Sequence, residues 1–257
     1  MPTVYLSPSS QEFNSYITGG SEEYYANLIV DAMIPYLDLS GIDYVRNKTS
    51  YNVTQSIDES NSINPDLHLA IHSNAAPEQL SGFLRGPQVL YYPRSSEGKR
   101  GAEIFASNLR AIYPNPARVR IIPTAELSEL ERTNAPSVYV ELGYHDNEFD
   151  AEWITQNIGL IARNLALSVA EFFGLPLITD PDEQGESSEF PRLAVVNLSS
   201  GRLNIRREPS ERSEVVGRVG NGAFLEAIGR SADGNWYRVR LDNGVEGFAK
   251  AEFLLLD

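Results

Sequence analysis

The segment Thr179–Pro191, Thr-Asp-Pro-Asp-Glu-Gln-Gly-Glu-Ser-Ser-Glu-Phe-Pro, holds five acids, no base and almost nothing to bury. Such a stretch cannot offset the entropy cost of ordering it, so it is expected to run extended and solvated. It therefore divides the 257 residues into two parts that must each find a core: a domain at 1–176, a linker at 177–190 and a second domain at 191–257.

The two parts differ in periodicity. Before the linker, short β-branched or apolar runs alternate with helical patterns. Thr3–Leu6 ends at Ser7-Pro8. From Glu22 the residues Tyr25, Leu28, Ile29, Ala32, Met33 and Tyr36 recur at three and four, with Ser21 as N-cap and with Pro35 and Gly41 expected to fray the end. His68–His72 and Val89–Tyr92 are strand candidates, a helix is expected from Gly98 to about Tyr113, Ser137–Leu142 has the apolar character of a strand buried on both faces, and Trp153–Phe173 predicts one long final helix. This alternation predicts an α/β domain with a mostly parallel sheet flanked by helices. After the linker, short strands at 203–206, 215–217, 223–228, 236–241 and 247–249 are separated by Asn221-Gly222, Asp233-Gly234 and Asp242-Asn243-Gly244, the pattern of a small all-β barrel.

Composition excludes several classes of function. The chain carries a formal net charge of −14, and residues 192–257 hold ten Lys/Arg against nine Asp/Glu, so the acid is concentrated upstream. A first domain of that charge repels nucleic acid, whose binding depends on neutralising phosphates. No apolar run approaches the roughly 20 residues that cross a bilayer, and the N-terminus lacks the basic-then-apolar pattern of a signal peptide. The expectation is therefore a monomer that does not insert into membranes. With no cysteine, any metal has to sit on imidazole, carboxylate or amide oxygen.

Three residues stand out chemically. His72 lies where a strand gives way to Ser73-Asn74, the edge from which α/β sheets present ligands, although a histidine beside an apolar run is also a common packing residue. Glu141 interrupts an apolar strand, where a buried carboxylate must be paired, ligated or raised in pKa; a salt bridge to Arg132 is the plain alternative. Glu23 opens a helix, where its charge also suits the dipole. Nitrogen and oxygen donors that leave one metal position open, together with a separate partly desolvated Glu, are what zinc hydrolysis of an amide needs.

The segments Glu23-Tyr24-Tyr25-Ala26-Asn27-Leu28, Ala70-Ile71-His72-Ser73-Asn74-Ala75 and Thr133–Tyr144 (Thr-Asn-Ala-Pro-Ser-Val-Tyr-Val-Glu-Leu-Gly-Tyr) resemble, in order, three motifs of the zinc-dependent N-acetylmuramoyl-L-alanine amidases, over roughly residues 1–175. The resemblance implies that Glu23 and His72 bind Zn2+, that Glu141 is the catalytic carboxylate, and that the substrate is peptidoglycan. It also shows a departure. The family carries its first zinc ligand, a histidine, in a loop after strand one, whereas this chain has Ser7-Pro8-Ser9-Ser10-Gln11-Glu12-Phe13-Asn14, similar to a branch of the same family. Gln11 or Glu12 is left to offer an oxygen there, and Gln11 is preferred. An amide oxygen is a weaker zinc donor than imidazole, which keeps open a metal-free, inactive protein that only adheres to walls. His145, Asn74 and Arg132 are expected to contact substrate. Residues 201–254 resemble a bacterial SH3-type domain, which implies a cell-wall-binding role with Trp236 among its contacts. Action at the bacterial cell wall follows, as an endolysin or a mature fragment.

Overall fold

The computed structural model describes residues 1–179, 191–199, 201–231, 234–241 and 244–256, so the linker expected at 177–190 lies, for 180–190, outside the described residues. The chain divides into two compact units, Met1–Gln184 and Gly185–Asp257.

In the first unit, β1 (Thr3–Pro8), β2 (Asp43–Arg46), β3 (Leu67–Asn74), β4 (Gln88–Tyr91), β5 (Arg120–Pro123) and β6 (Ser137–Tyr144) form one sheet in the order β2-β1-β3-β6-β4-β5. All neighbours are parallel except β4 and β6. Strand period decides what each face carries. Val4 and Leu6, then Leu67, Leu69 and Ile71, then Val138, Val140 and Leu142, join one core with the apolar faces of α1 (Glu22–Leu39), α3 (Ser96–Ile112) and α6 (Ile158–Phe173). The alternate residues Tyr5 and Ser7, His68, Ala70 and His72, and Tyr139 and Glu141 share the other face. There Ala70 and Tyr139 pack with Leu130 of α4 (Ser128–Glu131), which touches α2 (Val53–Ile63). Ser7, His68, His72 and Glu141 thus lie on the face away from the main core.

Three expectations change. Helix α1 continues through Pro35 to Leu39, because Ile29, Val30, Met33 and Leu37 are fully buried and their packing outweighs the hydrogen bond that proline cannot donate. The single helix expected over 153–173 is two, α5 (Glu148–Gln156) and α6. They break at Asn157, whose side-chain amide donates to the Trp153 carbonyl at 2.7 Å and ends the first helix, while Asn147 caps its start. Helix α2 was not expected at all. Its sequence is polar and Ser56, Ile57 and Ser60 form its buried side, so no apolar stripe announces it, although Asn52 and Gln55 close a capping box at its start.

The second unit is a seven-stranded antiparallel sheet in the order β13-β7-β10-β11-β12-β8-β9. The expected strands are found as β8 (Arg202–Arg206), β9 (Val215–Gly220), β10 (Phe224–Arg230), β11 (Trp236–Arg240) and β12 (Glu246–Lys250). Beside them lie β7 (Arg192–Val196) and β13 (Leu254–Leu256), which were not anticipated. Ala194, Val196, Leu203, Ile205, Leu225, Ala227, Val239, Ala249 and Leu254 make its core.

Candidate active site

The site forms at the C-terminal edge of β1, β3 and β6, where the β1–α1 loop crosses the strand ends. His72 is its centre. Its ring stacks on Tyr139, with centroids 4.4 Å apart and planes at 15°, so one face is held by the neighbouring strand. Nδ1 lies 2.8 Å from Glu22 Oε1, and Nε2 lies 3.6 Å from Glu129 Oε2. Both carboxylates are buried, at 1% and 4% exposed. Burial disfavours the imidazolium, but the Glu129 and Glu22 carboxylates outweigh it and push the His72 pKa up to about 10. Burial likewise acts against ionised Glu22 and is overcome by His72, Asn14 and Ser9, which hold its carboxyl below the usual range.

Glu22 is fixed from several sides. Its Oε1 accepts from the Ser73 N–H at 3.3 Å and its Oε2 from the Asn14 amide at 2.6 Å. Asn14 also donates to Gln11 Oε1 at 3.1 Å, and Gln11 Nε2 comes within 3.5 Å of His72 Nδ1. The residue expected here was Glu23. Successive helical residues point about 100° apart, and α1 turns Glu22 inward onto His72 while Glu23 stands half-buried on the cleft wall. Ser21, as N-cap, sets that phase. Gln11 is where the loop approaches the imidazole, whereas Glu12 is exposed.

Glu141 pairs with His72 in the β3–β6 ladder. The register slips immediately after this pair, to Asn74 opposite Tyr144, and Gly143 (φ 154°) occupies the slip. A Cβ there would come within 2.9 Å of the Asp150 carboxylate, itself buried and bonded to the Tyr144 and Gly86 N–H groups and the Tyr113 hydroxyl. Glu141 is half-buried as a residue, yet its Oε2 is sealed from solvent and has no hydrogen-bond partner among the described residues. Burial, moderated by the attraction of His72 and reinforced by Glu22, raises its carboxyl from 4.5 to about 7. The alternative of an ion pair with Arg132 does not occur: Arg132 is exposed, and its carbonyl accepts from the Asn61 side chain.

The remaining expected contacts divide. His145 is buried, its Nδ1 3.1 Å from Ser73 Oγ and its ring beside Tyr16; its backbone N–H donates to the Asn74 carbonyl. It braces the end of β3 rather than standing in the open cleft. Asn74 is half-buried at the same strand end. Trp236 belongs to the second unit, 6% exposed, where it lines a shallow groove with Ser210, Asn235 and Lys250.

A cleft of about 750 Å3 opens over His72, bounded by the β1–α1 loop, the loop 47–53 and α4. It is large enough for a peptide-sized ligand. Its charged lining residues besides His72 are Glu12, Glu23, Glu126 and Glu129, with no Lys or Arg among them.

Whether a metal fits can be judged from the donors. Among the described residues no three His, Cys, Asp or Glu side chains converge on one point. His72 Nδ1 does meet Glu22 Oε1 at 2.8 Å and the Gln11 amide nitrogen at 3.5 Å, while Gln11 Oε1 accepts from Asn14, so the Gln11 amide has to turn over to offer its oxygen. Tetrahedral zinc with bonds of about 2.0–2.2 Å separates its ligand atoms by about 3.3–3.6 Å, so the residues fit the ion once the Gln11 amide turns over and the His72–Glu22 contact opens. The carboxylate of Glu129 behind the far ring nitrogen is the usual companion of a metal-bound histidine. The set holds one imidazole, one carboxylate and one amide, a weaker combination than two imidazoles. Sequence reasoning missed Glu22, Glu129 and His68; only the burial of acids within mixed segments hinted at the first two.

Comparison with known proteins follows the same lines. The family described as N-acetylmuramoyl-L-alanine amidase matches residues 14–171, starting just beyond the unusual Ser7–Phe13 loop, and the family described as bacterial SH3 domain matches residues 201–254. The amidase AmiC2 of Nostoc punctiforme superposes with a TM-score of 0.58 at 17% identity, over 67% of this chain and 97% of that one. The catalytic domain of CwlV, an N-acetylmuramoyl-L-alanine amidase from Bacillus (Paenibacillus) polymyxa var. colistinus, gives 0.59 at 15% identity, over 68% and 100%. The catalytic domain of the CD27L endolysin targeting Clostridia difficile gives 0.52 at 18% identity, over 66% and 98%. At these identities the structural likeness speaks for the fold. No curated protein sequence matches significantly. With the family match spanning more than half of the sequence, and the sheet order and strand-edge site as described, the chain belongs to the N-acetylmuramoyl-L-alanine amidase family and carries a bacterial SH3 domain at its C-terminal end.

Proposed function

We propose that the first unit hydrolyses the amide between the lactyl group of N-acetylmuramic acid and the L-alanine of the stem peptide, with Glu141 as general base, while the second unit holds the enzyme on peptidoglycan. The observation that carries this is Glu141: a carboxyl whose Oε2 is buried without a partner among the described residues, raised to about 7, next to His72 on the strand edge of an amidase fold. A base poised near neutrality accepts a proton from water and returns it to the leaving nitrogen at little cost in driving force. Glu22, His72 and Gln11 are the residues that would hold a zinc ion, with Glu22 in place of Glu23. A zinc ion there would supply Lewis-acid polarisation of the scissile carbonyl and activation of water. The cleft walls orient the stem peptide, and Tyr139 keeps the imidazole plane fixed beneath it. The protein acts at the bacterial cell wall, as a monomer, and among the described residues no helix is long and apolar enough to cross a membrane.

The test is digestion of purified peptidoglycan by the zinc-supplemented full chain. The expected products are new amino groups that label as N-terminal alanine, without new reducing sugar ends. Reducing ends, or amines on another stem residue, would refute the assignment of the bond. A second reading, a wall-binding protein without metal, is favoured by one observation: both ring nitrogens of His72 face buried carboxylates, Glu22 at 2.8 Å and Glu129 at 3.6 Å, an arrangement that favours the imidazolium, so an ion competes there with a proton. Zinc per chain after purification without chelator separates the two readings.

A further inference from the structure

Beneath His72, from the cleft wall at Glu129 and Ser7 inward to His68, runs a buried polar chain that the proposed chemistry does not use. Glu129 comes from the one-turn helix α4 and is 4% exposed, on a face otherwise covered by Leu130 and Tyr139. The Ser7 hydroxyl donates to its Oε1 at 2.5 Å, and His68 Nε2 lies 3.1 Å from the same oxygen. His68 is wholly buried; its Nδ1 lies 3.0 Å from the Ser60 hydroxyl, and its ring stacks on Tyr5 at 5.2 Å. With Oε1 occupied by two donors, Oε2 is left toward His72 Nε2 at 3.6 Å. A buried carboxylate placed this way costs free energy unless each oxygen meets a donor, and the donor left for Oε2 is the His72 ring.

We propose that Glu129 is a positioning residue for His72: anchored by Ser7 and His68, its carboxylate receives the Nε2 proton and so presents Nδ1 to Glu22 and Gln11. The inference rests on the reading of His72 as a metal-binding residue, which it deepens. A hydrogen bond at one ring nitrogen decides which atom of an imidazole is free to bind, and it fixes the plane of the ring. Glu129→Gln tests this with almost no change in volume. The Gln oxygen stays with Ser7 and His68, and its NH2 then faces Nε2, which can only accept. Nε2 must therefore give up its proton, and the proton that remains is held on Nδ1, on the side where a metal would bind.

The experiment uses the full chain with ring-15N histidine, prepared metal-free, and compares wild type, Glu129→Gln and Ser7→Ala. The expected result for Glu129→Gln is a His72 Nε2 that has lost its proton, and a zinc affinity by titration calorimetry reduced about 10–100-fold at a nearly unchanged melting temperature. Ser7→Ala, which loosens Glu129 without touching His72, is expected to lower zinc affinity less. A Glu129→Gln protein with the wild-type His72 nitrogen pattern and zinc affinity within twofold overturns the proposal. Should that variant not fold, unchanged nitrogen signals and affinity in Ser7→Ala overturn it instead. If wild type takes up no zinc, the metal reading fails separately, and the protonation of Nε2 in the variant still decides the role of Glu129.

Discussion

Replacing Glu141 with glutamine should stabilise the metal-free protein at alkaline pH while abolishing wall hydrolysis. The carboxyl ionises normally near 4.5 but only near 7 in the fold, mainly because burial penalises its charged form. A folded-state pKa above the unfolded one means that the fold favours the protonated acid. Its contribution is intact below about pH 4.5 and is lost as pH rises through about 7. At about 1.4 kcal/mol per pH unit, the gap corresponds to a penalty of about 3 kcal/mol at pH 8 that glutamine, always neutral, does not carry. For a unit of this size that is roughly 6–12 °C in melting temperature. Calorimetry of the chelator-treated proteins at pH 4 and pH 8 should show the two first-unit transitions coinciding at the lower pH and separating, with the variant higher, at the upper one. A constant difference, or a variant less stable at pH 8, would refute the claim that Glu141 is buried without compensation.

Further outcomes are expected. Glu22→Ala should lose zinc binding by more than about 100-fold and lose lysis, whereas Glu23→Ala should keep zinc within a few-fold; calorimetric titration of both decides which acid of α1 belongs to the site. Gln11→His should tighten zinc by about tenfold or more, since imidazole is the better donor, and Gln11→Ala should weaken it; an unchanged affinity in both would move the third donor elsewhere. Residues 191–257 alone should cosediment with peptidoglycan, and residues 1–178 should retain hydrolysis but bind walls less, because the tether no longer raises local concentration; a C-terminal fragment that stays in solution with every wall type would end the targeting role.

Much of the fold was legible because strand and helix periods are local. The short apolar and β-branched runs marked β3 and β6, while the register that puts His72 and Glu141 side by side on one face came only with the pairing of the two strands. The cap at Ser21 and the start of α1 were readable for the same reason. Helix α2 and the break at Asn157 were not, because their signals are polar side chains that replace an apolar stripe or take up a backbone carbonyl.

What the sequence determined by itself was the α/β and all-β characters of the two parts and the strands that carry His72 and Glu141. Tertiary structure decided the rest of the site. The choice of Glu22 over Glu23 depends on a helix phase of about 100° per residue, fixed by where α1 docks on the sheet. The partnership of Ser7, His68 and Glu129 joins residues up to 122 positions apart. No local pattern encodes such a meeting, because it arises only when parallel strands bring their C-terminal ends to one edge and a buried carboxylate must find its donors there.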